Sequence, residues 1–290
     1  MSTFAQLVVD GLEAGSVYAA LALALVLIYR STGLVNFAQG EMAMFSTYVY
    51  LTLARGGLSV PAAFAIAAVF SFAAGLATER LLIRRFASNH MALIVVTLAL
   101  FVGVNALAGL LWSYQVIKVP GVFPAQVFRA GGVTFSIEAL GTLATLAAVA
   151  GAIFALFRFT RLGLAMRGAA SNVESAALLG LRAGTLLGIG WGLAALLGVV
   201  AGVLVTPRLF LDPNVMQGVL VFAIAAATVG GLDSPLGAVI AGLLLGVLEN
   251  LAGTYLVSSG LRITVPLVLI IVFLTLRPGG MFGSARLSRV

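Results

Sequence analysis

Four stretches of this chain are each long enough to cross a bilayer and carry no charged side chain: residues 56–78, 93–117, 139–157 and 183–207. A hydrocarbon layer of roughly 30 Å needs about 20 apolar helical residues to span it. The basic residues fall between and after these stretches, in 79–85 (Arg80, Arg84, Arg85), 158–182 (Arg158, Arg161, Arg167, Arg182) and 277–289 (Arg277, Arg286, Arg289). Basic loops stay on the cytoplasmic side. One pattern thus supplies both the solvent and the orientation. The expected fold is all-α, a polytopic transmembrane helical bundle.

Apolar runs set against breaks place candidate helices at about 4–29, 40–54, 58–79, 91–113, 137–157, 184–206, 217–231, 236–256 and 262–277. Assigning sides by charge puts 30–39, 80–90, 158–183, 232–235 and the C-terminus inside. That side collects eleven of the sixteen basic residues, leaving Arg55, Lys118, Arg129, Arg208 and Arg262 outside. Nine spans with the N-terminus outside satisfy the bias. The runs 40–54 and 217–231 are short and flanked by glycine, so each reads as a span or as a re-entrant or broken segment. Eight to ten spans are expected, in a single domain over 1–290. Residues 1–14 lack a basic leader and carry Asp10 and Glu13, so the first apolar run is expected to be retained as a helix.

Composition narrows the function classes. The chain is 62% hydrophobic and 9% charged, with a mean hydropathy of +1.17, and so few charges cannot cover a soluble surface. A net charge of +7 would suggest nucleic acid in a soluble protein, but orientation explains it here. There is no cysteine, and the single histidine, His90, cannot build a metal site alone; beside Asn89 it reads as an interfacial residue. The only lysine is Lys118, so no GxxxxGK[ST] phosphate loop exists, and HExxH and GxSxG are absent too. The three aspartates, Asp10, Asp212 and Asp233, are scattered at expected span ends. An enzyme is not the expectation, and no catalytic residue, cofactor or metal is assigned.

Two loops differ from the rest. Residues 113–137, punctuated by Pro120, Gly121, Pro124, Gly131 and Gly132, suggest turns and a small outer hairpin. Residues 158–184 form the longest inner loop. Within it 169–179 has good helix formers, Ser171 or Asn172 to cap its start, and Gly180 to end it. Leu178, Leu179 and Leu181 are apolar while Arg167, Asn172 and Glu174 are polar, the pattern of a short amphipathic helix at the membrane surface. Small residues four apart, Gly188–Gly192, Gly198–Gly202 and Ala238–Gly242–Gly246, lie on single helix faces and permit close backbone approach, within the chain or at a subunit seam.

Two polar interruptions remain. Asn36, Gln39 and Glu41 sit between Gly33 and Met44, directly between two apolar runs. Such a break is tolerated only where protein or a wet cavity satisfies it. It reads either as a lining of a passage or as an interfacial helix start, with Glu41 near the positive end of its helix dipole. Residues 229–237, Val-Gly-Gly-Leu-Asp-Ser-Pro-Leu-Gly, read first as a tight hairpin, with Asp233 or Ser234 as cap and Pro235 in the first helical turn. Glu249 lies towards the outer half of the next run, where a buried carboxylate is costly unless paired or hydrated.

These residues resemble a family. Residues 11–48, with Tyr18-Ala-Ala-Leu-Ala-Leu leading to Asn36-Phe-Ala-Gln-Gly-Glu-Met, look like permease subunits of ATP-binding-cassette importers for branched-chain amino acids, and like the LivH-type subunit more than its LivM-type partner. The inner loop around Arg167, Asn172 and Gly180 is similar to the family's cytoplasmic signature, and residues 230–237 with Gly242 and Glu249 to its C-terminal one. The resemblance implies that 169–180 is a coupling helix docking into an ATPase subunit, with Arg167, Asn172, Glu174, Ala176, Leu178, Leu179 and Gly180 as its contact candidates. Asn36, Gln39, Glu41 and Ser234 are the pathway candidates. It also implies a homologous permease, two ATPases and a periplasmic binding protein as partners, alternating access, and an inner-membrane location with a cytoplasmic C-terminus. The cargo class is branched-chain or other small amino acids, or urea and amides. The alternative is an ion-coupled secondary transporter, for which Glu41 and Glu249 are the candidate coupling carboxylates.

Overall fold

A computed structural model describes residues 2–87, 89–124, 126–171, 176, 178, 180–256, 261–277 and 279–283. Ten helices are described: α1 (Ser2–Thr32), α2 (Gln39–Arg55), α3 (Val60–Leu81), α4 (His90–Trp112), α5 (Ile137–Phe159), α6 (Arg161–Ser171), α7 (Ala183–Leu209), α8 (Val215–Gly230), α9 (Pro235–Tyr255) and α10 (Thr264–Leu276). All nine expected runs are helical. Six helices are long and apolar enough to cross a membrane, whereas α8 and α10 are shorter apolar helices and α2 has 17 residues.

The bundle is organised around α1. From Ala19 to Ile28 this helix is buried on every side, as an all-round apolar helix must be when neighbours surround it. It packs on α9, α7, α8 and α5. By contrast Val69 on α3, Val95 and Val102 on α4, Phe154 on α5 and Ile271 on α10 are exposed, an apolar rim suited to lipid.

Glycine faces allow these contacts. Gly11, Gly15 and Ala19 of α1 meet Gly246 and Gly242 of α9. A Cβ on Gly242 would stand 2.6 Å from the Ala19 Cα, and one on Gly15 would stand 2.8 Å from the Gly242 carbonyl oxygen. The stripe Ala238–Gly242–Gly246 is therefore an intramolecular seam. On α7, Gly188 and Gly192 receive Glu79 and Phe72 of α3, while Gly198 and Gly202 receive Gln39, Ala43 and Thr47 of α2. Hydroxyls stitch the same helices: Ser46 Oγ donates to Ser71 Oγ at 3.0 Å, and Ser71 Oγ to the Ala195 carbonyl at 2.7 Å.

The bundle has two distinct ends. At one, Arg84 pairs with the buried Glu79 at 2.7 Å and donates to the Gly184 carbonyl, Arg30 lies over the Phe157 ring, and the backbone of Met281 and Phe282 returns to Val229 and Gly230. At the other, Arg208 pairs with Glu13, Asn250 donates to the Leu7 carbonyl, and Gln6 bonds Thr134. These contacts join residues that the charge pattern had assigned to the same side.

The hairpin expected within 113–137 forms: β1 (Val127–Ala130) pairs antiparallel with β2 (Val133–Ser136). Its two-residue turn, Gly131–Gly132, has φ of 61° and 80°, which glycine adopts without strain. One helix was not anticipated. Helix α6 begins at Arg161, where the Thr160 hydroxyl accepts from the Gly163 amide. The reason is local: α5 stops at Thr160, and that hydroxyl nucleates the next helix at once. Ala176 and Leu178 are helical as expected, and the start of the expected 169–179 helix, with its cap, lies outside the described residues.

Placing Leu at 242 drives a side chain into the α1 backbone, and such overpacking costs about 1–3 kcal/mol or more. Gly242→Leu is expected to lower the melting temperature of the detergent-solubilised protein markedly. Gly103→Leu on α4, where a Cβ meets nothing within 4 Å, should leave it unchanged.

Candidate functional site

The break between α1 and α2 lies deep in the bundle. Gly33 turns the chain with φ of 72°, and residues 34–38 carry it back along the helices before α2 starts. Gln39, the first residue of α2, donates from Nε2 to the Ala194 carbonyl at 2.9 Å, near the middle of α7. The helix thus begins far from the bundle's end, which departs from the interfacial-start reading. It also explains why 17 residues suffice for α2.

The freed polar groups find partners within the chain. Asn36 Oδ1 accepts from the Ala38 amide at 3.0 Å, an Asx turn, and its Nδ2 donates to Gln39 Oε1 at 3.3 Å. Asn36, Gln39 and Glu41 are all buried. Glu41, in the first turn of α2, accepts from Asn105 Nδ2 at 3.2 Å and from Gln217 Nε2 at 3.4 Å. Asn105 also donates to the Pro213 carbonyl (2.8 Å) and Asn214 Oδ1 (3.2 Å), and accepts from the Tyr114 hydroxyl. Its amide has two hydrogens for three acceptors, so the three bonds cannot all be made at once. Gly40 brings the α2 backbone against Met216 of α8. Asn105, Asn214, Gln217 and Tyr114 were not singled out in the sequence. Asn105 was the available signal, an amide inside an otherwise apolar, span-length run.

Ser234 lies elsewhere. Its Oγ caps α9 by accepting from the Gly237 amide at 3.1 Å, the tight-hairpin role. It lines a cavity of about 930 Å³ at the arginine-rich end, together with Arg30, Arg158, Arg167, Phe154 and Phe157. The four pathway candidates are therefore two groups at different depths. Of the coupling candidates, Arg167 sits in α6 and borders this cavity, Ala176 is buried, and Leu178 is 89% exposed. Gly180 has φ of 77°, and the Leu181 amide returns to the Ala176 carbonyl at 3.0 Å, the bonding expected of a glycine C-cap. Asn172, Glu174 and Leu179 lie outside the described residues.

Carboxylates also occupy the opposite half. Glu249 accepts from the Tyr18 hydroxyl at 2.8 Å, and Tyr18 stacks on Phe222. Glu13 pairs with Arg208 at 2.6 Å beside a cavity of about 190 Å³. Among the described residues no group of three or more His, Cys, Asp or Glu is arranged to hold a metal.

Hydrogen bonds between membrane helices average about 0.6 kcal/mol and reach roughly 1.7. Asn105→Leu is expected to destabilise by an amount in that range, because it removes a donor from Glu41. Glu41→Gln in the same chain should recover part of the loss, since an amide is easier to leave unpaired than a carboxylate. Melting temperatures of the two single variants and the double variant measure the coupling; strict additivity would show that the two residues do not interact.

Known proteins align with this chain almost end to end. The "High-affinity branched-chain amino acid transport system permease protein LivH" of Escherichia coli is 28% identical over 305 residues, covering 99% of this chain and 98% of that protein. The corresponding BraD permease protein of Pseudomonas aeruginosa is 29% identical, with the same coverage. The "Probable branched-chain amino acid transport permease protein LivH" of Methanocaldococcus jannaschii is 30% identical over 281 residues, 91% of this chain and 87% of that one. Among solved structures, PsaBC from Streptococcus pneumoniae in complex with Fab shares the fold with a TM-score of 0.51, at 14% identity over 94% of this chain and 92% of that one. Residues 7–276, which hold both the buried break and the C-terminal hairpin, match the family described as branched-chain amino acid transport system, permease component, and the chain belongs to that family.

Proposed function

We propose that the chain is the membrane-spanning subunit of an ATP-binding-cassette importer in the cell inner membrane. It moves branched-chain amino acids, or related small amino acids and amides, by alternating access. The family match over residues 7–276 carries this reading. The chain has no phosphate loop of its own, so the energy comes from two separate ATPase subunits. A homologous permease completes the passage, and a periplasmic binding protein delivers the solute.

Asn36, Gln39 and Glu41 border the passage on this reading. The described conformation buries them, and moving α2 against α7 and α8 would bring them to water. The loop after α6 is the coupling element. Its exposed Leu178 supports that role, since a leucine left in water at a bundle end gains about 1.5–3 kcal/mol when a partner covers it. Arg167 and Ser234, on one cavity, lie where motion of this loop reaches α9.

The buried carboxylates Glu13, Glu41 and Glu249 favour a second reading, transport coupled to an ion gradient. Uptake of labelled leucine, valine, alanine and urea by cells expressing the whole operon separates the two. Vanadate should abolish uptake of the cargo, whereas loss with a protonophore at constant ATP would favour ion coupling.

Two further outcomes test the residue roles. Single cysteines at Asn36, Gln39 and Glu41 should resist an impermeant thiol reagent without nucleotide and react in the vanadate-trapped state; equal labelling in both would remove them from the moving pathway. Glu174→Arg combined with Leu178→Ala should leave membrane expression normal and strongly reduce substrate-stimulated ATP hydrolysis. Unchanged hydrolysis and uptake would leave the loop as no more than a positive surface anchor.

A further inference from the structure

The cavity of about 190 Å³ between α1, α5 and α7 has a composition unlike the rest of the bundle. One wall carries the Glu13–Arg208 pair and the others are apolar, from Val17, Leu204 and Val205. Glu13 is only 3% exposed, and its second oxygen, Oε1, is buried with no hydrogen-bond partner. An unmet acceptor on a buried carboxylate is expensive and calls for a donor. Arg208, by contrast, is 43% exposed, and a guanidinium has five N–H donors in a fixed fork suited to a second carboxylate. A drug-sized ligand needs roughly 300 Å³ or more, so this space suits a smaller solute.

We infer that this cavity recognises a small zwitterion with an aliphatic side chain: its ammonium on Glu13, its carboxylate on Arg208, its hydrocarbon against Val17, Leu204 and Val205. Opposite charges held side by side over an apolar wall match an α-amino acid and reject molecules bearing only one of the two charges. The inference rests on the transport reading for treating that amino acid as cargo. It assigns the chain its own recognition step, beyond capture by a binding protein.

The test uses the assembled transporter in nanodiscs without binding protein. Ala14→Cys places a thiol on the cavity wall of a chain with no other cysteine. Millimolar L-leucine, L-valine or L-alanine should slow its labelling, and neither 4-methylpentanoate nor 3-methylbutylamine should do so. Glu13→Gln and Arg208→Gln should each raise the half-protecting concentration about tenfold, the effect expected on losing a charged hydrogen bond. If Arg208→Gln fails to accumulate, Arg208→Lys replaces it and should give an intermediate shift. Labelling indifferent to every amino acid overturns the proposal, as does equal protection by the singly charged analogues, which would mean apolar filling only. A variant that melts earlier yet keeps full protection also overturns it, reducing the ion pair to a clamp between α1 and α7. Normal leucine uptake by cells expressing the whole operon, without protection in nanodiscs, rejects the site alone; absence of uptake for every solute in those cells rejects the permease reading itself.

Discussion

Close backbone contact along α1 is the constraint on which the rest of the bundle depends. Lipid tails are as apolar as leucine, so burial alone does not draw membrane helices together; van der Waals contact and hydrogen bonds must. Gly11, Gly15 and Ala19 let α9 approach within backbone distance, and that approach seats α1 at the centre. With α1 enclosed, α7 packs on its other side, and α7's own glycines then receive α3 on one turn and α2 on another. A single enlarged side chain at Gly15 or Gly242 strikes the backbone of the facing helix, whereas one at Gly103 on α4 meets nothing of the bundle.

The buried break follows from the same arrangement. Backbone that leaves a helix inside hydrocarbon must be satisfied by protein. Helix α7 provides for this by presenting the Ala194 carbonyl to Gln39 beside Gly198, where the absence of a side chain leaves room for the amide. The amides of Asn105 on α4 and Gln217 on α8 do the same for Glu41. Each such bond is weak in a membrane, and Asn105 and Gln217 each have a second acceptor in Asn214. A network of this kind holds one conformation without locking it, which suits elements that must exchange positions.

The spans were legible because their physics is local: an apolar run either is or is not long enough. The hairpin was legible for a related reason, since Gly131–Gly132 fits a two-residue turn whatever lies around it. Depth was not. Nothing between Gly33 and Gln39 tells whether the chain stays at the surface or returns into the bundle, because that depends on a carbonyl 155 residues away. The start of α6 was hidden too, since Thr160 caps only once α5 has ended before it. Ser234 had been grouped with Asn36 on motif evidence, and the fold separates them. Glu13 was read only as part of an N-terminal stretch without a basic leader and Arg208 only as one of the outer basic residues, and antiparallel packing of α1 and α7 brings them together.

Charge is sorted by depth in a way that neither stability nor orientation alone requires. The arginine-rich end combines Arg30, Arg84, Arg158 and Arg167 with Asp233 and Glu79. The opposite half pairs Glu13 with Arg208 and ties Glu249 to Tyr18. Between them, among the described residues, the polar groups are amides and hydroxyls, with Glu41 as the one carboxylate, its oxygens engaged by the neutral donors Asn105 and Gln217. A fixed charge at mid-depth would bind an oppositely charged group tightly and slow its release. Neutral dipoles can solvate both ends of a zwitterion without holding either. On the transport reading, the sorting places discrimination by charge near the outer face and leaves the middle of the route permissive. Selection then precedes the conformational step, and the step itself works against weak, exchangeable bonds.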